Sequence, residues 1–291
     1  GRFLSRPLPD GGCQWLPPGK LDRNNAMAPR TLIVSYPGSG KRLTWRMLEA
    51  MTGFRSGDDW DLSEEGKDVL IMKTQYPHPE GVWTWGGQFY DASIVLLIRN
   101  PRWAIPSYQT MRHELDYSNS WDKSFVRRPY TYTERGQLDD WEAWRASQFQ
   151  REIDLWGWYI DFWMNDGLRR DDGFGNPTQD YHCKPSTNHI KTCKPKVVID
   201  FDFLYGNKTG EAETQKLMAA VESNVNPNGV SIPMISQENR KCVFEQTVAK
   251  RLTEERWDNS NRDGYGVRQY DKNFTHDELG TIKNEILRLI G

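Results

Sequence analysis

Short apolar runs rich in β-branched residues recur along the chain and predict β-strands. They occupy residues 31–35, 69–72, 94–98 and 197–201. The third run is apolar at every position, which is typical of a strand buried on both faces of a parallel sheet. Because stretches with helical patterns separate the runs, we predict an α/β fold whose parallel sheet is flanked by helices and joined by right-handed crossovers.

Helical periodicity marks three other segments. Residues 43–51 follow the first strand after a glycine-rich turn, and residues 138–164 form a long aromatic segment. Core packing is the default interpretation of those aromatic side chains, and a role in a substrate cleft is the alternative: Trp141, Trp144, Trp156, Tyr159 and Trp163. The last helix is expected to begin with a capping box at Thr275 and Glu278 and to extend to residue 289.

Outside these elements, the sequence predicts an N-terminal arm, a single domain and one insertion loop. Residues 1–30 are rich in Pro, Gly and Arg and predict an irregular N-terminal arm, followed by a single domain over residues 31–291. Residues 167–196 are polar and rich in Gly, Asp and Pro, so we expect an insertion loop there. With 291 residues and 37% hydrophobic content, the chain is large enough for one sizeable core.

Charge and hydropathy give no support to a nucleic-acid-binding surface or to a membrane span within this chain. A net charge of -2 gives no support to a nucleic-acid-binding surface, so any anion site must be local. The sequence contains no apolar run of the ~18–20 residues that a membrane span requires. Because the first residue is Gly, we expect that an N-terminal targeting segment or membrane anchor is missing from this chain.

Cysteines and sequons favour an oxidising compartment. The chain has four cysteines, of which Cys183 and Cys193 suit a local disulfide hairpin and Cys13 and Cys242 form the remaining pair. Sequons at Asn207 and Asn273 fit N-glycosylation. Together these features predict the secretory pathway. A zinc site at Cys183 and Cys193 is disfavoured because paired C-x-x-C spacing is lacking.

The turn after the first strand carries the strongest chemical signal. Its sequence is Tyr-Pro-Gly-Ser-Gly-Lys-Arg-Leu-Thr-Trp over residues 36–45. A glycine-rich turn between a strand and a helix exposes backbone N–H groups at the positive end of that helix, which binds phosphate or sulfate. An ordinary turn with two surface cations is the alternative. The P-loop pattern of nucleoside triphosphatases fails, since Ser35 replaces its first Gly and Arg42 replaces its magnesium-binding hydroxyl. The predicted site is therefore metal-free.

A second motif, Arg99-Asn100-Pro101, leaves the strand at 94–98, and Ser107 follows eight residues after the arginine. Ligands of open parallel sheets bind at the carboxyl ends of strands, where this arginine lies. Its guanidinium suits a phosphate, and a hydroxyl on the next helix suits the same group. A structural arginine at the sheet edge is the alternative.

These motifs resemble those of sulfotransferases that use PAPS (3′-phosphoadenylyl sulfate), and the glycine-rich form looks closest to the secretory WSC-domain type. The resemblance covers most of the chain and includes residues 200–204 and, more faintly, Arg262, Gly264 and residues 273–275. It implies a P-loop-like sulfotransferase domain in the Golgi lumen. It also implies a set of nucleotide-binding residues: Gly38, Ser39, Gly40, Lys41, Arg42, Leu43, Thr44, Trp45, Arg99, Ser107, Arg262 and Gly264.

Two departures from that family concern catalysis. The family's loop lysine falls at Gly38, so its role must pass to Lys41 or Arg42. The family's lysine-threonine-histidine is Lys73-Thr74-Gln75 here, and a glutamine cannot accept a proton at neutral pH. We expect His78 to replace the missing base. The alternatives are a carboxylate, namely Glu80, Glu114 or Asp116, and an exposed, inert His78.

The predicted activity is in-line transfer of a sulfuryl group from PAPS to a hydroxyl or amine of a glycan, peptide or small molecule. Lys41 and the N–H groups of the turn would stabilise developing charge, with Lys73 near the transferring group. A catalytically silent relative that binds nucleotide or glycan remains an alternative, and a P-loop kinase is a weaker one. The sequence does not identify the acceptor.

Overall fold

The computed structural model describes residues 6–7, 13–15, 18–19, 30–58, 69–79, 92–118, 138–165, 194–206, 208–224, 232, 234–249 and 272–290. Two short strands, β1 (Arg6–Pro7) and β2 (Gln14–Trp15), pair in antiparallel fashion. The main sheet contains five strands: β3 (Thr31–Val34), β4 (Ser56–Asp58), β5 (Ile71–Thr74), β6 (Ser93–Ile98) and β7 (Val197–Asp200). All of its pairings are parallel, in the order β4-β5-β3-β6-β7.

Helices flank this sheet. They are α1 (Lys41–Thr52), α2 (Pro101–Ser118), α3 (Leu138–Met164), α4 (Phe201–Leu204), α5 (Gly210–Glu222), α6 (Gln237–Phe244) and α7 (His276–Ile290). A π-helical segment, Glu245–Ala249, continues α6. The predicted α/β fold with a parallel sheet is thus confirmed.

The sheet lies between two hydrophobic layers because successive strand residues point to opposite faces. Leu32 and Val34 of β3 belong to a core shared with α2, α3 and α7. Ile33 belongs to a second core shared with α1, α5 and α6. All three residues are fully buried. The continuous apolar runs in the sequence reflect this burial on both faces.

The four predicted strands are all present, although β5 is shifted two residues toward the C-terminus relative to the prediction. The edge strand β4 was not predicted. Its sequence is Ser-Gly-Asp, which has neither apolar content nor β-branched residues. It pairs with β5 on one side only.

Strand β3 occupies the centre of the sheet. Strands β4 and β5 lie on one side of it, and β6 and β7 lie on the other. The chain therefore changes direction across the sheet around β3. In open parallel sheets, ligands bind at the carboxyl ends of the strands at such a point.

Helix α3 has the bounds that the periodicity predicts. Trp141, Trp156, Tyr159 and Trp163 are buried in the core, which confirms core packing for these four rings. Trp144 is only partly buried. Helix α7 packs against α3, and its capping box is present, with Thr275 N donating to Glu278 Oε2 at 2.7 Å and Glu278 N donating to Thr275 Oγ1 at 3.3 Å.

A disulfide joins Cys13 to Cys242, with 5.5 Å between their Cα atoms. This confirms one predicted pair, while Cys183 and Cys193 lie outside the described residues, as do Asn207 and most of the insertion loop. Asn273 is exposed. Among the described helices, none is long and apolar enough to cross a membrane.

Candidate functional site

The turn between β3 and α1 lies at the carboxyl end of the central strand. Gly38 and Gly40 have φ angles of 80° and 84°, in the left-handed region that favours glycine. Gly40 is the N-cap of α1, and no side chain accepts a hydrogen bond there. The first turn of α1 thus has no side-chain cap for its N–H groups, which carry the positive end of the helix dipole.

Close packing also requires these two glycines. A Cβ atom on Gly38 would lie 2.2 Å from the backbone oxygen of Ala104 in α2. A Cβ atom on Gly40 would lie 2.1 Å from Cε2 of Phe201. The lysine that the sulfotransferase family has at this place is therefore incompatible with the observed turn, since any side chain at Gly38 would collide with α2.

Side chains within the turn supply polar groups around it. Ser39 is 1% exposed, and its Oγ has no hydrogen-bond partner in the part of the chain that the structure describes. Lys41 is 8% exposed, and its Nζ donates to Ser35 O at 3.1 Å. Thr44 Oγ1 donates to Gly40 O at 3.4 Å. Leu43, in the first turn of α1, packs against the second core, and the side chain of Arg42 lies outside the described part of the chain.

Trp45 and Lys73 contact each other. The Nζ atom of Lys73 lies over the Trp45 ring, 4.7 Å from its centroid, and such a cation–π contact is worth about 0.5–2 kcal/mol. The sequence predicted Trp45 among the nucleotide-binding residues and Lys73 near the transferring group. The structure brings both residues to one place beside the turn.

Arg99 connects β6 to the turn. Its Nη1 donates to Gly38 O at 2.8 Å, and its Nε lies 3.6 Å from Asp202 Oδ1. The guanidinium also lies over the ring of Phe201, 5.0 Å from the centroid. Burial lowers the pKa of Arg99, and the nearby carboxylate of Asp202 opposes that effect. The two motifs that the sequence placed at separate strand ends therefore meet at Gly38.

Asp202 and the first turn of α2 complete this arrangement. Asp202 Oδ2 accepts a hydrogen bond from Asn100 N at 2.9 Å, and Asn100 Oδ1 accepts one from Arg102 N at 2.9 Å, so Asn100 caps α2. The α2 backbone that touches Gly38 extends from Ala104 to residue 108. It carries Ser107, which is partly exposed. The predicted residues Arg99 and Ser107 thus lie on the segment that packs on the turn.

His78 is buried, with only 2% of its surface exposed, so the alternative of an exposed histidine is wrong. Its Nε2 lies 3.9 Å from Glu152 Oε2. Its ring meets those of Tyr36 and Tyr108 edge to face, with centroid distances of 5.1 and 5.5 Å. The predicted base therefore lies in a buried cluster of polar and aromatic groups beside the turn.

Glu152 is the functional candidate that sequence reasoning missed. It is 2% exposed on α3, and its Oε2 accepts a hydrogen bond of 2.7 Å from the hydroxyl of Tyr36. Burial, followed by the charge of Glu152, raises the pKa of Tyr36 well above its ordinary value, so the phenol stays protonated and donates. One signal was available: Glu152 lies at helical spacing among the buried Phe149, Ile153 and Trp156.

A cavity of about 460 Å³ opens between α2 and α3, with Glu152 among its lining residues. Tyr108 and Trp144 supply aromatic surface. The remaining lining is mostly polar or charged and includes Gln109, Arg112, Ser147 and Gln148. Glu152, whose carboxylate accepts the hydrogen bond from Tyr36, thus borders a space large enough for a small organic ligand.

Other predicted residues cannot be placed. Arg262, Gly264 and Glu80 lie outside the described residues, and so do the side chains of Glu114 and Asp116. In the part of the chain that the structure describes, no group of three or more His, Cys, Asp and Glu side chains is arranged to hold a metal ion.

Comparisons of the chain with models of protein families, with curated proteins and with solved structures find no match. An assignment of function therefore depends on the motifs and on the geometry around Gly38.

Proposed function

We propose that this protein is a PAPS-dependent sulfotransferase with a P-loop-like fold. The observation that carries the proposal is the turn from Gly38 to Lys41. It opens the uncapped helix α1 at the carboxyl end of the central strand, and Arg99 contacts it directly. Anions bind readily at such helix N-termini, because N–H groups and the helix dipole both favour negative charge.

The buried hydroxyl of Ser39 supports an anionic ligand at this turn. Its Oγ has no partner among the residues that the structure describes. A buried polar group without a partner costs about 1–3 kcal/mol, which an acceptor oxygen on a ligand would offset. Lys41 adds a fixed positive charge at the same helix end. The residues present therefore fit a phosphate or sulfate group.

The roles of the remaining residues follow from their positions. Arg99 donates a hydrogen bond from Nη1 to Gly38 O, and its Nε lies near Asp202. Because a guanidinium has five N–H donors, Arg99 has further donors for a phosphate. Ser107 lies on the adjoining turn of α2. We assign Arg99 and Ser107 to the 3′-phosphate, with Arg262 and Gly264 beside them as the motif implies. Ser39, Gly40, Arg42, Leu43 and Thr44 would surround the 5′-phosphosulfate. When bound, PAPS supplies a sulfuryl group attached to a good leaving group.

The compartment we propose is the lumen of the secretory pathway, with the Golgi as the expected organelle. The Cys13–Cys242 disulfide fits an oxidising environment. The exposed Asn273 is accessible to a glycan. The acceptor would be a hydroxyl or amine of a glycan, peptide or small molecule.

Transfer of labelled sulfate from PAPS to a panel of glycan, peptide and small-molecule acceptors tests the proposal. Lys41→Ala should lower the rate by about 10²–10³-fold, because it removes a preorganised charge beside the leaving group. The matched control Lys283→Ala, at an exposed position of α7, should retain the wild-type rate. Full activity in both Lys41→Ala and Arg99→Ala would contradict the assignment of the site.

One observation favours a second candidate, a relative that binds nucleotide without catalysis. Lys41 donates to Ser35 O and Arg99 donates to Gly38 O, so both cations stabilise the turn itself. Binding of 3′,5′-ADP without transfer to any acceptor would favour this candidate. Magnesium-dependent turnover of ATP by the protein would instead favour a kinase.

A further inference from the structure

We propose that Glu152 accepts the proton of the acceptor, that Tyr36 positions Glu152, and that the cavity between α2 and α3 receives a carbohydrate hydroxyl. This inference rests on the proposed sulfotransferase function. It assigns the base and the acceptor site, neither of which the motifs identify.

Glu152 has contacts with both the glycine-rich turn and the cavity. Tyr36 lies two residues before Gly38 in the turn, and its hydroxyl bonds to Glu152 at 2.7 Å. Glu152 also lines the cavity. It is therefore the side chain that links the anion-binding turn to the space where a second substrate fits. His78 is close to Glu152, at 3.9 Å, but is not among the residues that line the cavity.

The carboxylate of Glu152 is a chemical group suited to general-base catalysis. An ionised carboxylate has about four acceptor sites, and the bond from Tyr36 occupies one of them. Among the described residues, the groups that face Glu152 are the phenol of Tyr36, the imidazole of His78 and the guanidinium of Arg151, whose Nη1 lies 4.0 Å from Oε1. A carboxylate can serve as a general base, which Gln75 cannot do.

The lining of the cavity combines aromatic and polar side chains. The Trp144 ring is partly exposed and is held by stacking on Trp141, at a centroid distance of 5.8 Å and an interplanar angle of 26°. Amide, hydroxyl and guanidinium side chains surround it. One aromatic surface with a polar margin suits a sugar ring, which is apolar on its faces and bears hydroxyl groups at its edge. A purely aryl acceptor would match apolar walls better.

The reaction balances as follows. The acceptor hydroxyl gives its proton to the Glu152 carboxylate while its oxygen forms a bond to sulfur. The bond between sulfur and the bridging phosphate oxygen breaks, and its electron pair stays on the phosphate of 3′,5′-ADP. The products are a sulfate ester, 3′,5′-ADP and protonated Glu152, which returns its proton to solvent.

Glu152→Gln tests the base, because it keeps the shape and a carbonyl acceptor for Tyr36 but removes the basic group. We expect kcat with a glycoside acceptor to fall about 10²–10⁴-fold and the Kd of 3′,5′-ADP to stay unchanged. The matched control Glu142→Gln changes an exposed position of the same helix and should retain full activity. His78→Asn should retain more activity than Glu152→Gln.

Tyr36→Phe tests positioning. Removing the hydroxyl frees the carboxylate to turn away, so we expect kcat to fall about tenfold, the scale of one hydrogen bond, with the KM for PAPS and the Kd of 3′,5′-ADP unchanged. If Tyr36 only supported the structure of the turn, Tyr36→Phe would instead weaken nucleotide binding. That result would overturn the positioning role.

Binding tests the cavity without catalysis. In saturation-transfer NMR, methyl glycosides should receive saturation from the wild-type protein and lose it in Ala143→Trp, which fills the cavity from its rim. That variant should still bind 3′,5′-ADP. Saturation of p-nitrophenol but of no glycoside, or glycoside signals that persist in Ala143→Trp, would overturn the acceptor site.

The experiments distinguish an error in the role of Glu152 from an error in the proposed sulfotransferase function. If Glu152→Gln transfers sulfate at the wild-type rate while Lys41→Ala does not, Glu152 is not the base and the sulfotransferase function stands. If the wild-type protein neither binds 3′,5′-ADP nor transfers sulfate to any glycoside, both the function and this inference are wrong.

Discussion

Gly38 has a φ of 80°. Its backbone packs so closely on α2 that an added Cβ atom would lie 2.2 Å from the backbone oxygen of Ala104. Gly38→Ala should lower the free energy of unfolding by about 2 kcal/mol or more, since left-handed backbone costs about 1–2 kcal/mol and overpacking about 1–3 kcal/mol. Gly280→Ala is the matched control, because a Cβ there meets nothing within 4 Å. In exposed helix it should raise stability by about 0.5–1 kcal/mol. Equal stability of both variants in urea denaturation would show that the turn does not pack as described.

Tyr36 predicts a pH dependence of stability. Burial raises its pKa in the folded state above the unfolded value of about 10. The unfolded chain therefore loses this proton first, so the stabilisation is complete below about pH 10 and is lost as the pH rises further. Denaturation of the wild-type protein and Tyr36→Phe between about pH 8 and about pH 11 should show a shallower alkaline loss in the variant. Parallel curves would contradict a buried, protonated Tyr36.

The residues of the turn could be predicted because their signal is local. Gly38, Gly40 and Lys41 follow a buried strand directly, and Arg99 follows another. Glu152 could not be assigned in the same way, since its partner Tyr36 lies 116 residues away in the chain. Phe201 was missed as a contact of Gly40 for the same reason.

At the scale of elements, strands buried on both faces were predictable because every position had to be apolar. Strand β6 shows this best, with four fully buried residues at its centre. Strand β4 pairs through its backbone at the edge of the sheet, so its side chains carry no such pattern. Helix α3 was predictable over its full length because its aromatic side chains repeat at helical spacing.

Helix α7 begins with the capping box between Thr275 and Glu278. Thr275→Ala removes the side chain that caps Glu278 N and should cost about 1 kcal/mol. Thr275→Ser retains the hydroxyl and should be nearly neutral. Urea denaturation of unglycosylated protein separates this effect from that of the Asn273 sequon. If Thr275→Ala were as stable as the wild-type protein, the cap would contribute nothing to the free energy of unfolding.

At the scale of the whole molecule, two hydrophobic cores hold a parallel sheet whose central strand ends at the proposed site. The disulfide between Cys13 and Cys242 spans 229 residues and ties the N-terminal arm to α6. The turn, Arg99 and α2 meet at one end of this frame, and Tyr36 connects them to α3. This convergence depends on the sheet order, which no single motif encodes.

Calorimetric titration of the wild-type protein with 3′,5′-ADP and, separately, with 5′-AMP shows whether the site holds both phosphates of the nucleotide. A site that holds both phosphates should bind 3′,5′-ADP at least about tenfold more tightly, a difference of about 1.4 kcal/mol. Arg99→Ala should remove most of that preference, while Lys283→Ala should leave it intact. No measurable binding of 3′,5′-ADP to the wild-type protein, or equal affinity for the two nucleotides, would contradict the account.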